Sequence, residues 1–234
     1  MPRRGVKSFK GRYTRRRYRS RKKSTFRIAK AALRKAKAIE GSIETKFHDF
    51  RWAPAILTAN TFSGCTQFLS GTAESTTDQG GRIGDKIKPT SLFFRYQVFG
   101  TDDPLYGGSL HQDMVRVMVV KDRSGQGSTP LVTDILQTNN IQSPLHRSNT
   151  ERFHVLYDKT HVITGYDNPR GSAMITKKKY IRLSGTTSYK GSTALVGDAD
   201  TNHYWLLAMS QNPTSPSTGR PIIQGYTRIN YKDP

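Results

Sequence analysis

Residues 85–99 (DKIKPTSLFFRYQVF) give the clearest indication of the fold. Leu92, Phe94, Tyr96 and Val98 occupy alternate positions, which is the period-2 pattern of a β-strand with one buried face. Pro89 lacks a backbone N–H, so a break or an edge position is expected near the start of this strand. A long strand with one apolar face needs a second layer to cover that face.

The rest of residues 41–234 also has the pattern of strands separated by turn-rich loops, and no stretch after Glu40 shows helical periodicity. Residues 53–70 are expected to be irregular, and residues 71–84 to form a polar loop. Further strands are predicted at residues 42–50, 112–121, 178–184, 203–210 and 222–231, with two short strands in residues 152–164. About eight strands joined by unequal loops predict an all-β, two-sheet antiparallel sandwich or jelly roll.

Length and composition set further bounds. Residues 41–234 fall within the size that β-sandwiches occupy as one domain. The single cysteine, Cys65, excludes an intrachain disulfide and a cysteine-based zinc site. The apolar runs are too short to cross a bilayer, and the start (MPRRGVK) lacks the apolar region of a signal peptide. We therefore expect no membrane insertion and a cytosolic or nuclear protein.

Positive charge is concentrated in residues 1–40, which we define as the arm. Seventeen of the 38 Lys and Arg residues lie in residues 1–39, which contain no Asp or Glu. The remaining residues hold 21 basic and 17 acidic side chains. Residues 1–23 are predicted to be disordered, because dense like charge opposes collapse. Residues 25–40 predict an amphipathic helix, with Ser24 or Thr25 as N-cap and Gly41 at its end.

The arm is predicted to bind nucleic acid without base specificity. Arginine donates bidentately to phosphate and stacks on bases, and the aromatic rings at Phe9, Tyr13 and Tyr18 offer further stacking surfaces. The predicted nucleic-acid-binding residues are Arg3, Arg4, Lys7, Lys10, Arg12, Arg15, Arg16, Arg17, Arg19, Arg21, Lys22, Lys23, Arg27, Lys30 and Arg34. Other interpretations of such a segment are a nuclear localisation signal alone, a ribosomal-protein extension or a helix on anionic membrane.

No pattern predicts an enzyme, a cofactor or a metal site. The six histidines are scattered singly, and residues 80–86 (GGRIGDK) lack the residue order of a phosphate-binding loop. Glu151, Asp158 and Asp167 are separate carboxylates without a pairing pattern, and Cys65 is interpreted as a buried thiol.

Four segments resemble the capsid proteins of small circular single-stranded DNA viruses, the circoviruses and their relatives. They are residues 1–23 (MPRRGVKSFKGRYTRRRYRSRKK), 155–160 (VLYDKT), 178–183 (KKYIRL) and 226–234 (YTRINYKDP). The resemblance implies a single viral jelly roll of two four-stranded sheets, with about sixty copies in a T=1 icosahedral shell. It also implies an arm that binds the packaged DNA inside the virion and acts as a nuclear localisation signal. The alanine-rich helix predicted at residues 25–40 departs from the family. A capsid protein resembling those of satellite viruses, with such a helix under the shell, is therefore an alternative.

The same resemblance implies further partners and places. Nuclear import receptors and cell-surface receptors would be host partners, and the protein would occur in the virion and, during assembly, in the host nucleus. The outer surface and symmetry contacts would be formed by residues 100–111, 122–151, 165–177, 185–202 and 211–221. About sixty arms with seventeen cations each would neutralise on the order of a thousand nucleotides.

A second hypothesis is a non-viral, monomeric nucleic-acid-binding β-barrel module with a basic extension. It predicts cations and exposed aromatic side chains on the sandwich itself. The low net charge of residues 41–234 argues against it, as does the location of the aromatic residues Phe93, Phe94, Tyr96, Tyr180, Tyr204 and Trp205 within predicted strands.

Overall fold

A computed structural model describes residues 25–36, 38, 45–77, 80–100, 112–164, 174–211 and 221–233. The chain divides after Glu44 into two units, which are described separately. In the first unit, residues 25–36 form helix α1, whose alanines and leucine favour helix. Residues 1–23, predicted to be disordered, lie outside the described residues, as do residues 37, 39 and 40 of the predicted helix.

The second unit consists mainly of strands. A short helix, α2, spans Val132–Ile135, and two single turns of 3₁₀-helix span Arg147–Asn149 and Val196–Asp198. Within the described residues of this unit there are ten strands, which are β1 Thr45–Ile56, β2 Cys65–Phe68, β3 Lys86–Phe99, β4 Gln112–Asp122, β5 Phe153–Thr164, β6 Met174–Arg182, β7 Thr187–Tyr189, β8 Ala199–Thr201, β9 His203–Ser210 and β10 Ile222–Lys232.

The strands form two antiparallel sheets in jelly-roll order. Sheet I contains β1, β10, β3 and β6 as neighbours, and sheet II contains β2, β9, β4 and β5. The short strands β7 and β8 extend sheet I at the start of β3. Along the chain the eight main strands lie in sheets I, II, I, II, II, I, II and I, which is the order of a double-sheet jelly roll. The predicted all-β jelly-roll fold is confirmed.

The main core lies between the two sheets. Leu92, Phe94, Tyr96 and Val98 are fully buried, as their alternation predicts. They belong to one apolar cluster with side chains of sheet II, which include Val115, Val117, Val119, Leu206 and Ala208. Complete burial of one side chain of this size contributes about 2–3 kcal/mol.

A second apolar cluster covers the outer face of sheet II. Met118 and Val120 of β4 and Trp205 of β9 pack with residues of the segment between β4 and β5, which are Val132, Ile135, Leu136 and Ile141. Sheet II is therefore covered on both faces.

Arg116 of β4 links the segment between β4 and β5 to sheet II by hydrogen bonds. Its Nε and Nη2 atoms donate to the two carboxylate oxygens of Asp158 at 2.8 and 2.6 Å, and Nη1 donates to the carbonyl oxygens of Ile141 at 2.8 Å and Ser143 at 2.7 Å.

Several strand predictions need correction. Residues 152–164, expected to form two short strands, contain the single strand β5, because β4 pairs with it from Gln112 opposite Thr164 to Asp122 opposite Phe153. A register shift beside Val119 and Val120 explains the apparent interruption. Residues 53–70, expected to be irregular, contain the end of β1 and all of β2. The loop at residues 185–202 contains β7 and β8.

Pro89 lies near the start of β3, where β3 is paired with β10 on one side and with none of the described strands on the other, so the expected break and the expected edge position are both present. The register against β10 shifts where Pro89 faces Tyr231. On the other side of β3, pairing with β7 ends at Ile87 and pairing with β6 begins at Ser91. On that side no ladder hydrogen bond is needed from position 89, so the missing N–H of Pro89 is tolerated there.

Candidate nucleic-acid interface

Three of the fifteen predicted arm contacts lie in the described part of the chain. Arg27, Lys30 and Arg34 are exposed on α1, and spacings of three and four residues place them on one side of the helix. Phe26 and Ile28 on the same helix are 70% and 68% exposed. The other twelve predicted contacts, from Arg3 to Lys23, lie outside the described residues.

Sheet I has an outer face whose central side chains are exposed or half-buried. Since side chains alternate across a strand, the core residues Phe94 and Tyr96 leave Phe93, Arg95 and Gln97 on the outer face of β3. Arg95 is exposed, and Phe93 and Gln97 are half-buried. This outer face of sheet I is called the basic face below, because of its charge.

The charge of residues 45–234 is unevenly divided between the sheets. The four main strands of sheet I contain eleven Lys and Arg residues and a single acidic residue, Asp49. The four strands of sheet II contain three basic and three acidic residues. The low net charge of the sandwich as a whole hides this contrast. A count of charges strand by strand would have revealed it from the sequence.

Three cations of the basic face stand in one row across four strands. Arg51 of β1 faces Tyr226 of β10, Tyr226 faces Arg95 of β3, and Arg95 faces Lys178 of β6. Adjacent strands are about 4.8 Å apart, so the row is about 14 Å long. Within the described residues, no hydrogen bond or ion pair is recorded for the side chains of Arg51, Arg95 and Lys178. Their positive charges therefore remain available to a ligand.

The next row consists of Asp49, Arg228, Phe93 and Tyr180, and its one acid is already paired. Asp49 accepts two hydrogen bonds from Arg228, both 2.6 Å long, and these bonds lower the pKa of Asp49. The Arg228 guanidinium lies over the ring of Phe47, 4.6 Å from the ring centre. Phe93 and Tyr180 complete the row, and Tyr180 is 58% exposed. Asp49 thus neutralises Arg228 and not the cations of the first row.

A cleft of about 420 Å³ opens at the end of the cation row. It lies beside the register shift between Trp52 and Ala55 in the pairing of β1 with β10. Gln224 Nε2 donates to Gln97 Oε1 at 2.9 Å within the cleft lining. Trp52 also lines the cleft, and its buried indole N–H has no hydrogen-bond partner among the described residues. The other lining residues are Arg51, Arg95, Gly225 and Tyr226.

The location of aromatic residues within predicted strands, used as an argument against the monomeric module, does not exclude exposed rings on the sandwich. Phe94, Tyr96, Tyr204 and Trp205 are buried, but Phe93 is half-buried and Tyr180 is exposed on the basic face. These two residues occupy outward positions, Phe93 in β3 and Tyr180 in β6. The register that brings them beside Arg95 and Arg228 has no local sequence signal.

Two of the residues considered for catalysis, Cys65 and Asp158, have structural surroundings, and Asp167 lies outside the described residues. Burial raises the pKa of the Cys65 thiol to about 12, so it stays protonated. Asp158 is paired with Arg116, and residues 80–85 are turns and bends that lead into β3. Among the described residues, no cluster of three or more His, Cys, Asp or Glu is arranged to hold a metal ion. None of the described helices has the length and apolar character needed to cross a bilayer.

Comparisons with known proteins give only distant structural similarities. No family model matches the chain, and no curated protein matches it. A structure of Desmodium yellow mottle tymovirus has 11% identity and a TM-score of 0.33, and the match covers 82% of this chain and 87% of that chain. A structure of Cocksfoot mottle virus has 10% identity and a TM-score of 0.34, with 81% and 82% covered. A structure described as the KBV activated particle at acidic pH has 9% identity and a TM-score of 0.35, with 80% and 69% covered. The jelly-roll fold rests on the strand order of this chain and not on these similarities.

Proposed function

We propose that this chain is a viral capsid protein that assembles into a small icosahedral shell. The observation that carries the proposal is the combination of a jelly roll with a preceding arm that contains seventeen cations and no acid. Jelly rolls serve in viral capsids as well as in lectins and cupins, so the fold alone does not select the function. The arm supports the capsid alternative, because a shell around a genome needs a large, sequence-independent supply of positive charge.

The finer proposal is a circovirus-like capsid protein that packages single-stranded DNA. The segments at residues 1–23, 155–160, 178–183 and 226–234 support it, and so does the charge balance of about sixty arms against a very small genome. The arm would bind DNA in the virion and direct the chain to the host nucleus, where import receptors would be its partners. The protein has a structural role in this proposal and performs no reaction.

Exposed apolar side chains support contacts between subunits. Ile83, Leu131 and Leu195 lie in loops between strands and are 62%, 63% and 70% exposed. Scattered apolar residues are common on protein surfaces, so each one alone means little. In a closed shell, symmetry repeats every contact, and modest burial at several loops adds up over the assembly.

Electron microscopy of the purified full chain tests the proposal. Samples at moderate salt, with and without nuclease treatment, should contain closed particles of one small diameter, and nucleic acid extracted from untreated particles should be single-stranded DNA. Sequencing and nuclease digestion of the extract distinguish DNA from RNA. A chain that stays monomeric at every salt concentration, with and without nucleic acid, would exclude the capsid function.

The basic face favours a second candidate function, the monomeric nucleic-acid-binding module. That hypothesis predicts cations and exposed aromatic rings on the sandwich, and the rows that contain Arg95 and Tyr180 have this composition. Both candidates bind nucleic acid, so binding cannot separate them. Sedimentation of the nucleoprotein does: discrete large particles support the capsid, and small complexes whose mass follows the length of the nucleic acid support the module.

A further inference from the structure

We propose that the basic face is a second binding site for single-stranded nucleic acid, distinct from the arm, with one nucleotide held in the cleft beside Arg51 and Arg95. The inference takes from the proposed function only the class of ligand, and it applies equally to the alternative module.

The charges of the basic face identify the ligand as a polyanion. Arg51, Arg95 and Lys178 share one row without an acidic partner among the described residues, and like charges on neighbouring strands repel each other. A phosphate group relieves this repulsion, and a guanidinium donates to it bidentately. Sheet II has no comparable surface, because its strands are neutral overall and its outer face is covered by the segment containing α2.

The aromatic residues select single strands over duplexes. Tyr180 is exposed and Phe93 is half-buried in the row adjacent to the cations. Successive rows on a strand are about 6.8 Å apart, so a backbone that contacts the cation row places its bases within reach of these rings. Rings stack on unpaired bases, and paired bases in a duplex do not expose their faces. Open sheet faces with aromatic residues bind single-stranded RNA in the same manner in other folds.

The cleft supplies the groups for one base and its phosphate. The Gln224 amide donates to the Gln97 amide, and this bond leaves further donors and acceptors of both amides for a base edge. Arg51 and Arg95 line the same cleft, and their guanidinium groups would contact the phosphate.

Salt-dependent binding of the full chain to a thirty-nucleotide oligothymidylate tests the site. For single strands, each neutralised phosphate contributes about 0.7 to the slope of log K against log salt. The double variant Arg51→Ala with Arg95→Ala should therefore lower that slope by about 1.4 while the arm still binds. The matched control is Arg123→Ala with Arg147→Ala, which removes two exposed cations from the segment that covers sheet II. A slope that falls no further in the first variant than in the control would overturn the proposal.

Cross-linking of the unaltered chain gives a test that does not depend on how variants fold. Ultraviolet irradiation of the oligothymidylate complex, followed by mass spectrometry, should place thymine adducts on peptides that contain Tyr180 or Tyr226. A duplex of equal length should give far fewer adducts on these peptides. Adducts confined to residues 1–40 would refute the site. Particle assembly is measured separately by electron microscopy. A result that refutes the capsid function can therefore be distinguished from one that refutes this binding site.

Discussion

Lowering the pH from 7 to 5 should destabilise the sandwich by about 2 kcal/mol through His203. The side chain is fully buried at the start of β9, and burial lowers its pKa from 6.5 to about 4. Its Nδ1 atom lies 3.0 Å from Ser70 Oγ, and its Nε2 atom lies 2.8 Å from the carbonyl oxygen of Ser188. The hydrogen bond to Ser188 and, less strongly, the nearby Asp122 and Asp200 favour the charged imidazole, but burial outweighs them.

The direction and size of this destabilisation follow from the protons that His203 binds in the folded and the unfolded chain. The unfolded chain protonates this histidine near pH 6.5 and the folded chain near pH 4, so between these values the unfolded chain binds more protons. Stability from this group is therefore fully present above pH 6.5 and decreases as the pH falls toward 4. One pKa unit corresponds to about 1.4 kcal/mol, which gives about 2 kcal/mol of destabilisation at pH 5 and about 3 kcal/mol at pH 4. Burial also lowers the pKa of His161, with help from Lys177 and Lys159, and this adds in the same direction.

Urea unfolding followed by circular dichroism at pH 7 and pH 5 measures this effect. His203→Gln should be less stable than the unaltered chain at pH 7, because buried hydrogen bonds are lost, but its stability should change less between the two pH values. The control is His154→Gln at an exposed position, which should keep the full pH dependence. If His203→Gln and the unaltered chain lose the same free energy between pH 7 and pH 5, the assignment to His203 is wrong.

Three further predictions concern the sandwich and the arm. Arg116→Ala should lower the free energy of unfolding in urea by about 3–5 kcal/mol, because it leaves Asp158 unpaired and two carbonyl oxygens without their donor. A loss below 1 kcal/mol would contradict the anchoring role of Arg116. Gly225→Ala should cost about 1–3 kcal/mol, because the added Cβ would overlap the Trp52 ring and the Arg95 carbonyl oxygen, whereas Gly197→Ala has open space and should be nearly neutral. Removal of residues 1–40 should leave the strand signal in circular dichroism and abolish most of the affinity for nucleic acid, and a truncated chain with full affinity would assign binding to the sandwich alone.

The fold could be predicted because its signals are local. Alternation in residues 92–98 follows from burial of one strand face, and β4, β9 and β10 have β-branched or aromatic residues in similar runs. The strands that were missed are short. β2, β7 and β8 have three or four residues each, and their pairing with distant strands stabilises them more than any local pattern does. The single strand β5 was divided in the prediction, because a bulge in its pairing with β4 interrupts the alternation.

The candidate nucleic-acid interface likewise has one part that the sequence predicts, the arm, and one part that it does not, the basic face. Cations of the arm are neighbours in sequence, so their density alone indicates a polyanion ligand. Arg51, Arg95 and Lys178 are far apart in the chain and become neighbours only through the registers of β1, β10, β3 and β6. The prediction used the net charge of the whole sandwich, and that average cannot distinguish a basic sheet beside a neutral one from evenly mixed charge.

The arm and the basic face differ in what bound nucleic acid does to the folded sandwich. Any ligand that binds the folded chain more tightly than the unfolded chain stabilises the fold by mass action. Arm cations are contiguous in sequence and attract phosphates whether or not the sandwich is folded, so binding there changes sandwich stability little. The row of Arg51, Arg95 and Lys178 exists only when four strands are in register, so a nucleotide bound there stabilises the fold itself. In the proposed capsid, a nucleic acid bound at both sites would thus be retained by the arm and would also stabilise the folded sandwich.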